Sequence, residues 1–129
     1  MKSNLFTLVK DLIKADKKYK SISISGIKID SKQVKPGDLF IAVTGANFDG
    51  HNFINQAVNK GAKAVITNDR CNNIDSIPQI RVSNTRKAVS HISSVFYGNP
   101  SKDLIIIGIT GTNGKTTTAY LTTKALINA

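Results

Sequence analysis

Short apolar runs alternate along this chain with segments in which apolar residues recur at helical spacing. Strands and helices that alternate in this way pack as layers, with the helices covering a mostly parallel sheet. The sequence therefore predicts a small α/β fold over residues 1–100. The predicted strands cover residues 22–24, 27–29, 39–43, 64–66 and 77–82, and the predicted helices begin near Ser3, Phe53 and Thr85.

Local signals set the expected boundaries of these elements. The apolar phase slips at Gly26, which predicts either two short strands over 22–29 or one strand with a bulge. Gly61 is expected to end the second helix in the left-handed conformation, and Thr85 is expected to cap the third. The apolar positions of the first helix are Leu5, Leu8, Val9, Leu12 and Ile13.

The sequence changes character after Pro100. Residues 104–109 are almost continuously apolar, which predicts a strand buried on both faces. This run leads into a Gly-rich turn and a last helix, so residues 101–129 are expected to begin a second domain with a strand–loop–helix unit. One helix cannot cover both faces of a buried strand. We therefore expect the rest of that domain to be missing, as in a truncated protein or a broken reading frame.

The charge balance favours anionic partners but does not choose among them. The net charge is +10, and all eight acidic residues are Asp. No aromatic residues are interleaved with the basic ones to stack bases, so a nucleic-acid partner is not predicted. A proton-transfer site usually needs a positioned carboxylate or His. Eight Asp and two His make a complete active site hard to assemble within this chain.

The sequence predicts a cytoplasmic protein without a membrane partner. The longest strongly apolar run, 104–109, is far shorter than the ~20 residues of a membrane-spanning helix. Charges interrupt the apolar residues at the N-terminus, unlike a secretory signal. Cys71 is the single cysteine, so no internal disulfide can form, and its polar neighbours favour an inert surface position.

A Gly-rich segment, T-G-T-N-G-K-T-T-T at 110–118, follows the apolar run. Backbone N–H groups in such a turn, together with the N-terminus of the next helix, can surround phosphate oxygens. Lys115 would reach the terminal phosphates, and the Thr116 hydroxyl would complete a magnesium shell. Ile109 stands where the common G-x-x-x-x-G-K-[ST] pattern has its first Gly, and Gly-rich turns without a ligand also exist. The phosphate-binding candidates are Gly111, Thr112, Asn113, Gly114, Lys115, Thr116 and Thr117.

Three motifs in the same order resemble the Mur ligase family, which builds the peptide stem of bacterial cell-wall precursors. I-T-G-T-N-G-K-T-T-T resembles the family's ATP loop, of which folylpolyglutamate synthases carry a related form. D-S-K-x-V-x-P-G-D-L-F-I-A, from Asp30, is similar to the family's D-S-R-x-V-x-P-G-D-L-F-V-A, and D-G-H-x-F, from Asp49, is also shared. Lys32 replaces the usual Arg, and Lys lacks the planar fork for a bidentate phosphate contact.

The resemblance implies an ATP- and Mg²⁺-dependent ligase that forms an amide through an acyl phosphate and is a monomer when complete. Within the family, the motifs are most similar to ligases that add lysine or diaminopimelate to UDP-N-acetylmuramoyl-L-alanyl-D-glutamate. Ligases that add D-Ala-D-Ala are the close alternative. Lys115 would be catalytic, and the family's other catalytic groups lie beyond this chain. By position, the UDP end of the substrate would contact Ile29, Ser31, Ala46, Asn47 and Phe48.

Several of these residues also have a structural interpretation. Asp30 and Ser31 could form an Asx turn, and Phe48 could belong to the core. Asp49 and His51 are expected to shape the following helix, and His91 is expected to be structural. Two other functions remain open at this point: a stand-alone module that binds UDP-sugars, and a non-specific nucleic-acid binder suggested only by charge.

Overall fold

The computed structural model describes residues 2–46, 48–68 and 73–128. The chain divides into two compact units, Met1–Asn99 and Pro100–Ala129. Three short 3₁₀ helices, Lys17–Ser21, Ser31–Gln33 and Gly50–Phe53, occur in the first unit. Its other elements are β1 (Ser3–Asn4), α1 (Leu5–Val9), β2 (Ser23–Ile24), β3 (Ile27–Lys28), β4 (Leu39–Ile41), α2 (Ile54–Asn59), β5 (Ala64–Asn68), β6 (Gln79–Val82) and α3 (Thr85–Phe96).

Four parallel strands form the main sheet of the first unit, in the order β3-β4-β5-β6. Ile41 lies opposite Ile66, and Ile66 lies opposite Ile80. β1 and β2 pair with each other in a separate antiparallel ribbon. The predicted α/β fold with a mostly parallel sheet is therefore confirmed, and strands that follow one another in the chain are neighbours in the sheet.

Both faces of the sheet are covered because alternate side chains of each strand point to opposite faces. Leu39 and Ile41 of β4 pack in a cluster with residues of α1 and α3. Phe40, between them in sequence, packs in a second cluster with Ile54 and Ala57 of α2. All three β4 side chains are fully buried. The sheet is thus the middle layer between two apolar cores.

Most predicted boundaries hold to within a few residues. The slip at Gly26 separates two short strands, and these belong to different sheets. Gly61 has φ 93°, and its N–H donates to the carbonyl of Val58, as expected for a left-handed residue after a helix. The cap predicted at Thr85 is wrong by one position. The side chain of Asn84 accepts the N–H of Lys87, and Thr85 is the first helical residue.

The predicted first helix is too long. α1 covers only Leu5–Val9, and Asn4 caps it by accepting the N–H of Thr7. Leu12 and Ile13 follow in turns, in which both of their N–H groups donate to the carbonyl of Val9. Their side chains still pack against the first cluster, so the apolar spacing reported the buried face rather than the extent of the helix.

The second unit contains a 3₁₀ helix, Pro100–Asp103, and α4 (Lys115–Ile127), which confirms the predicted last helix. The strand predicted over 104–109 is wrong: the segment has no strand structure, and Ile105 is 96% exposed. A strand needs a neighbour for its backbone N–H and C=O groups. Among the described residues of this unit there is no other strand to provide one. No helix within the three described ranges has the length and apolar character that a membrane crossing requires.

Two identical substitutions test this distribution of buried residues. Ile66→Ala in β5 should lower the free energy of unfolding by about 2–5 kcal/mol, because it leaves a cavity in the first cluster. Ile105→Ala is the matched control and should change it by less than about 0.5 kcal/mol. Urea unfolding followed by circular dichroism measures both. Equal losses for the two variants would show that 104–109 is buried after all.

Candidate functional site

A cavity lies where the chain leaves β3 and β4. The carboxyl ends of neighbouring parallel strands meet at the same edge of a sheet, which is where α/β folds usually bind ligands. The cavity has a volume of about 490 Å³. Its walls are mainly apolar, with Asp30, Ser31 and Lys32 as the polar part. The main apolar side chains that line it are Ile29, Phe40, Val43, Phe48 and Phe53.

The loop after β3 is held in place by its own carboxylate and by α2. Asp30 Oδ1 accepts the N–H of Lys32 at 2.8 Å, which is the Asx turn considered from the sequence. The Ser31 hydroxyl donates to Gln56 Oε1 at 2.6 Å and is 5% exposed. The Lys60 ammonium donates to the carbonyl of Lys32. Since the Ser31 proton is already used, this hydroxyl can offer a ligand only its oxygen lone pairs.

The loop after β4 forms a narrow hairpin that carries Phe48. The N–H of Gly45 donates to the carbonyl of Phe48 at 2.7 Å, and the N–H of Gly50 donates to that of Val43 at 2.9 Å. A Cβ at Gly50 would lie 2.8 Å from the Val43 nitrogen, so only glycine fits this approach. Phe48 is 74% exposed, which rules out the core interpretation of its side chain. Its ring is therefore available to a ligand.

The structure brings three of the five predicted substrate residues together. Ile29, Ser31 and Phe48 line one cavity, although they come from two loops. Ala46 is exposed in the second loop and does not line the cavity. Asn47 lies outside the described residues, as does Cys71.

Asp49 and His51 shape the start of the next helix, as the sequence suggested. Asp49 Oδ1 accepts the N–H of His51 at 3.0 Å and contacts His51 Nδ1 at 2.6 Å. His51 Nε2 accepts the N–H of Asn68, at the end of β5, at 3.1 Å. The backbone hydrogen bond from His51, followed by the bond from its ring, lowers the pKa of Asp49 below the ordinary value of 3.8.

Sequence reasoning missed the residues that hold the loops from a distance. Gln56 and Lys60 on α2 hold the first loop. Arg86, at the start of α3, donates from Nη2 to the carbonyl of Thr44 at 3.0 Å and so holds the second. No motif marks them, because each contact joins positions more than 20 residues apart. His91, predicted to be structural, lies 3.8 Å from an oxygen of Asp11, away from this cavity.

The predicted phosphate loop has the local geometry of a turn that starts a helix. Gly114 has φ 77°, a left-handed conformation, and α4 begins at the next residue. The Lys115 ammonium reaches back and donates to the carbonyl of Gly111. Thr112 and Asn113 form a bend between them. All the predicted phosphate-binding side chains are exposed.

Magnesium can be considered at Thr116, in the first turn of α4. One hydroxyl suits an ion that keeps several waters and takes its other oxygens from phosphates. Within the described residues, no group of three or more His, Cys, Asp or Glu side chains could hold a metal ion. Any magnesium at this position would therefore depend on a bound nucleotide.

Titration of Asp49 tests the hydrogen bonds around it. Its carboxyl should titrate with a midpoint below 3.8, and His51→Ala should raise that midpoint by removing the ring contact. Because the folded-state pKa is the lower one, the interaction stabilises the fold above the unfolded pKa. That contribution is lost as the pH falls through the folded pKa. Carbon-13 NMR of the carboxyl group measures the midpoint.

His91→Ala is the matched control for this titration, since His91 contacts Asp11 rather than Asp49. It should leave the Asp49 midpoint unchanged. A wild-type midpoint at or above 3.8 would contradict the described contacts.

Comparison with known proteins identifies relatives over most of the chain. The 2,6-diaminopimelate-adding UDP-N-acetylmuramoyl-L-alanyl-D-glutamate ligase of Aquifex aeolicus is 48% identical over 106 residues, which cover 82% of this chain and 22% of the relative. The ligase of the same name from Clostridium perfringens is 41% identical over 129 residues, which cover 100% of this chain and 26% of the relative. The chain therefore spans about a quarter of the length of these relatives.

Solved structures of Mur ligases also superimpose on this chain. A D-alanyl-D-alanyl-adding ligase from Acinetobacter baumannii superimposes with a TM-score of 0.66 at 31% identity, covering 92% of this chain and 26% of that one. A MurF ligase from Thermotoga maritima in complex with ADP gives a TM-score of 0.53 at 33% identity, covering 71% and 21%. The family described as "Mur ligase family, catalytic domain" matches residues 23–97, more than half of the chain. Together with the α/β sheet and the motifs at its edge, this match shows that the chain belongs to the Mur ligase family.

Proposed function

We propose that this chain is the N-terminal part of a ligase that adds an amino acid to UDP-N-acetylmuramoyl-L-alanyl-D-glutamate in peptidoglycan precursor synthesis. Residues 1–100 would bind the UDP end of this substrate, and residues 101–129 would begin the ATP-binding part. The observation that carries the proposal is the cavity at the carboxyl edge of β3 and β4, which joins Ile29, Ser31 and Phe48. ATP drives the reaction in the cytoplasm, and the complete enzyme acts as a monomer.

The chemistry of the cavity suits one end of a nucleotide-sugar. Phe48 offers an exposed aromatic face on which a flat base can stack. Ser31 can accept a hydrogen bond from a base or ribose, because its own proton is engaged by Gln56. Lys32 lies on the same wall and supplies a positive charge near the diphosphate. An apolar floor with a few polar groups is typical of small-molecule sites.

The segment 110–117 would bind the triphosphate of ATP. Gly114, in the left-handed conformation, comes directly before α4. The N–H groups in the first turn of α4 have no partner within the helix and lie beside the loop. Lys115 would exchange its contact with the Gly111 carbonyl for phosphate oxygens. The ADP complex of the Thermotoga maritima relative supports nucleotide use in this family. Bound with the nucleotide at Thr116, Mg²⁺ would neutralise phosphate charge.

The relatives favour diaminopimelate as the amino acid added, because that is what several of their names state. Lysine is the other amino acid that the motif resemblance implies. Addition of D-Ala-D-Ala is the alternative, supported by the Acinetobacter baumannii structure. The first unit, with its own two cores and cavity, also fits a stand-alone module that binds UDP-sugars.

Binding by the isolated chain tests the substrate site. UDP-N-acetylmuramoyl-L-alanyl-D-glutamate should release or absorb heat in calorimetry, and Phe48→Ala should weaken its binding by about tenfold through lost stacking. Tyr97→Ala is the matched control, because Tyr97 is an exposed aromatic residue that does not line this cavity. No binding by the wild type at millimolar ligand would refute the substrate assignment.

A second pair of variants tests the nucleotide site. Lys115→Ala should weaken the binding of ATP with Mg²⁺ by at least about tenfold, because a charge-assisted contact to phosphate is lost. Lys124→Ala removes the same charge from the last turn of α4 and should have little effect. Fluorescence of a labelled ATP analogue measures both. Equal effects would mean that the nucleotide is attracted by net charge alone.

The 129-residue chain by itself is proposed to be inactive, because the family's acidic magnesium ligands, modified lysine and amino-acid pocket are expected beyond it. Incubation with ATP, the dipeptide substrate and diaminopimelate or lysine should yield no product by mass spectrometry. Turnover by this chain would overturn that part of the proposal while leaving the binding assignments intact. Binding of the UDP-substrate without any nucleotide binding would favour the stand-alone module.

A further inference from the structure

His51 connects two parts of the site that are otherwise separate in sequence. Its Nδ1 lies 2.6 Å from Asp49 Oδ1, at the end of the loop that carries Phe48. Its Nε2 lies 3.1 Å from the backbone nitrogen of Asn68, at the end of β5. The loop after β4 and the carboxyl end of β5 are therefore joined through one imidazole ring.

The two partners fix where the proton of this ring must be. The N–H of Asn68 can only donate, so Nε2 must be the unprotonated acceptor. A neutral ring then carries its proton on Nδ1, which faces the carboxylate of Asp49, an acceptor. A proton on Nε2 would direct two N–H groups at each other and leave Nδ1 without a hydrogen for Asp49. The geometry is thus consistent with one neutral tautomer only.

We propose that His51, as the neutral Nδ1–H tautomer, is a positioning residue that holds the Phe48 loop in its ligand-binding conformation. This inference rests on the proposed function, in which Phe48 stacks on the base of a nucleotide-sugar. The ring acts on the ligand through the loop and lies outside the lining of the cavity. Arg86 holds the start of the same loop at Thr44, and His51 holds its end at Asp49.

The energetic role follows from the exposure of the loop tip. Phe48 is 74% exposed, so packing does little to hold the tip in place. The hydrogen bonds at the base of the loop must then supply its order. A site that is correctly formed only part of the time binds its ligand more weakly by that fraction. Loss of the connection to Asn68 should therefore lower affinity without changing any group that touches the ligand.

Two variants separate the two contacts of the ring. In His51→Gln, the side-chain oxygen reaches the place of Nε2 and can still accept the N–H of Asn68. In His51→Asn, the shorter amide reaches only the place of Nδ1, so it can donate to Asp49 but can no longer accept the N–H of Asn68. Asn52→Ala is the control, since Asn52 is exposed, adjacent, and makes no side-chain hydrogen bond within residues 2–46, 48–68 and 73–128.

The first measurement is nitrogen-15 NMR of His51 in the wild-type chain, at a pH where the ring is neutral. A protonated Nδ1 and a bare Nε2 are expected, and the opposite tautomer would overturn the inference without any variant being made. This result does not depend on a ligand, so it stands apart from the proposed function.

The second measurement is the calorimetric Kd for UDP-N-acetylmuramoyl-L-alanyl-D-glutamate, with amide exchange at Asn68 as a report on its hydrogen bond and circular dichroism as a check on folded protein. Each variant breaks one of the two contacts of the ring, so both should weaken binding by about tenfold, as expected for one lost hydrogen bond. Only His51→Asn should also speed the exchange at Asn68. Binding equal to the wild type in either variant would overturn the positioning role. Absence of binding by the wild type would instead refute the proposed function.

Discussion

Parallel pairing of β3 with β4 is the constraint on which the rest of this site depends. The pairing sets Lys28 opposite Phe40, so both strands end at the same edge of the sheet. The loops that follow Lys28 and Ile41 must then leave the sheet side by side. An antiparallel pair would send them to opposite edges, and the cavity could not form between them. The direction of the strands therefore determines that a site forms at this edge, whichever side chains line it.

The sheet fixes where the loops start, but contacts from other elements fix their shape. α2 holds the first loop through Gln56 and Lys60, and α3 holds the second through Arg86. These contacts end on a hydroxyl or on backbone carbonyls, groups that would otherwise need water. The two buried clusters keep both helices against the sheet. Packing in the core therefore helps to fix the geometry of an exposed site, because it holds the helices that hold the loops.

The sequence was sufficient for the fold of the first unit because its signals are local. The apolar run of β4, the stop at Gly61 and the turn at Asp30 each depend on a few neighbouring residues. The family resemblance also pointed to Ile29, Ser31 and Phe48, which the structure brings to one cavity. The functions assigned to these residues stay predictions.

Other features could not be predicted because they depend on distant partners. Nothing near Gln56 in sequence indicates that it binds the hydroxyl of Ser31. Apolar spacing at Leu12 and Ile13 marked a buried face, which turns serve as well as a helix. The run 104–109 has the composition of a buried strand, yet a strand exists only when another pairs with it. The composition of a segment gives only its preference for strand structure, and pairing with a second strand decides whether the strand forms.

The most direct test of this account is to map the binding of UDP-N-acetylmuramoyl-L-alanyl-D-glutamate on the folded chain by amide NMR. The account predicts that the largest shifts fall on the loops after β3 and β4, at Ile29, Ser31, Gly45 and Phe48, with smaller changes at Asn68. Shifts confined to other surfaces, or spread over many basic residues without saturation, would contradict a substrate site at the carboxyl edge of this sheet.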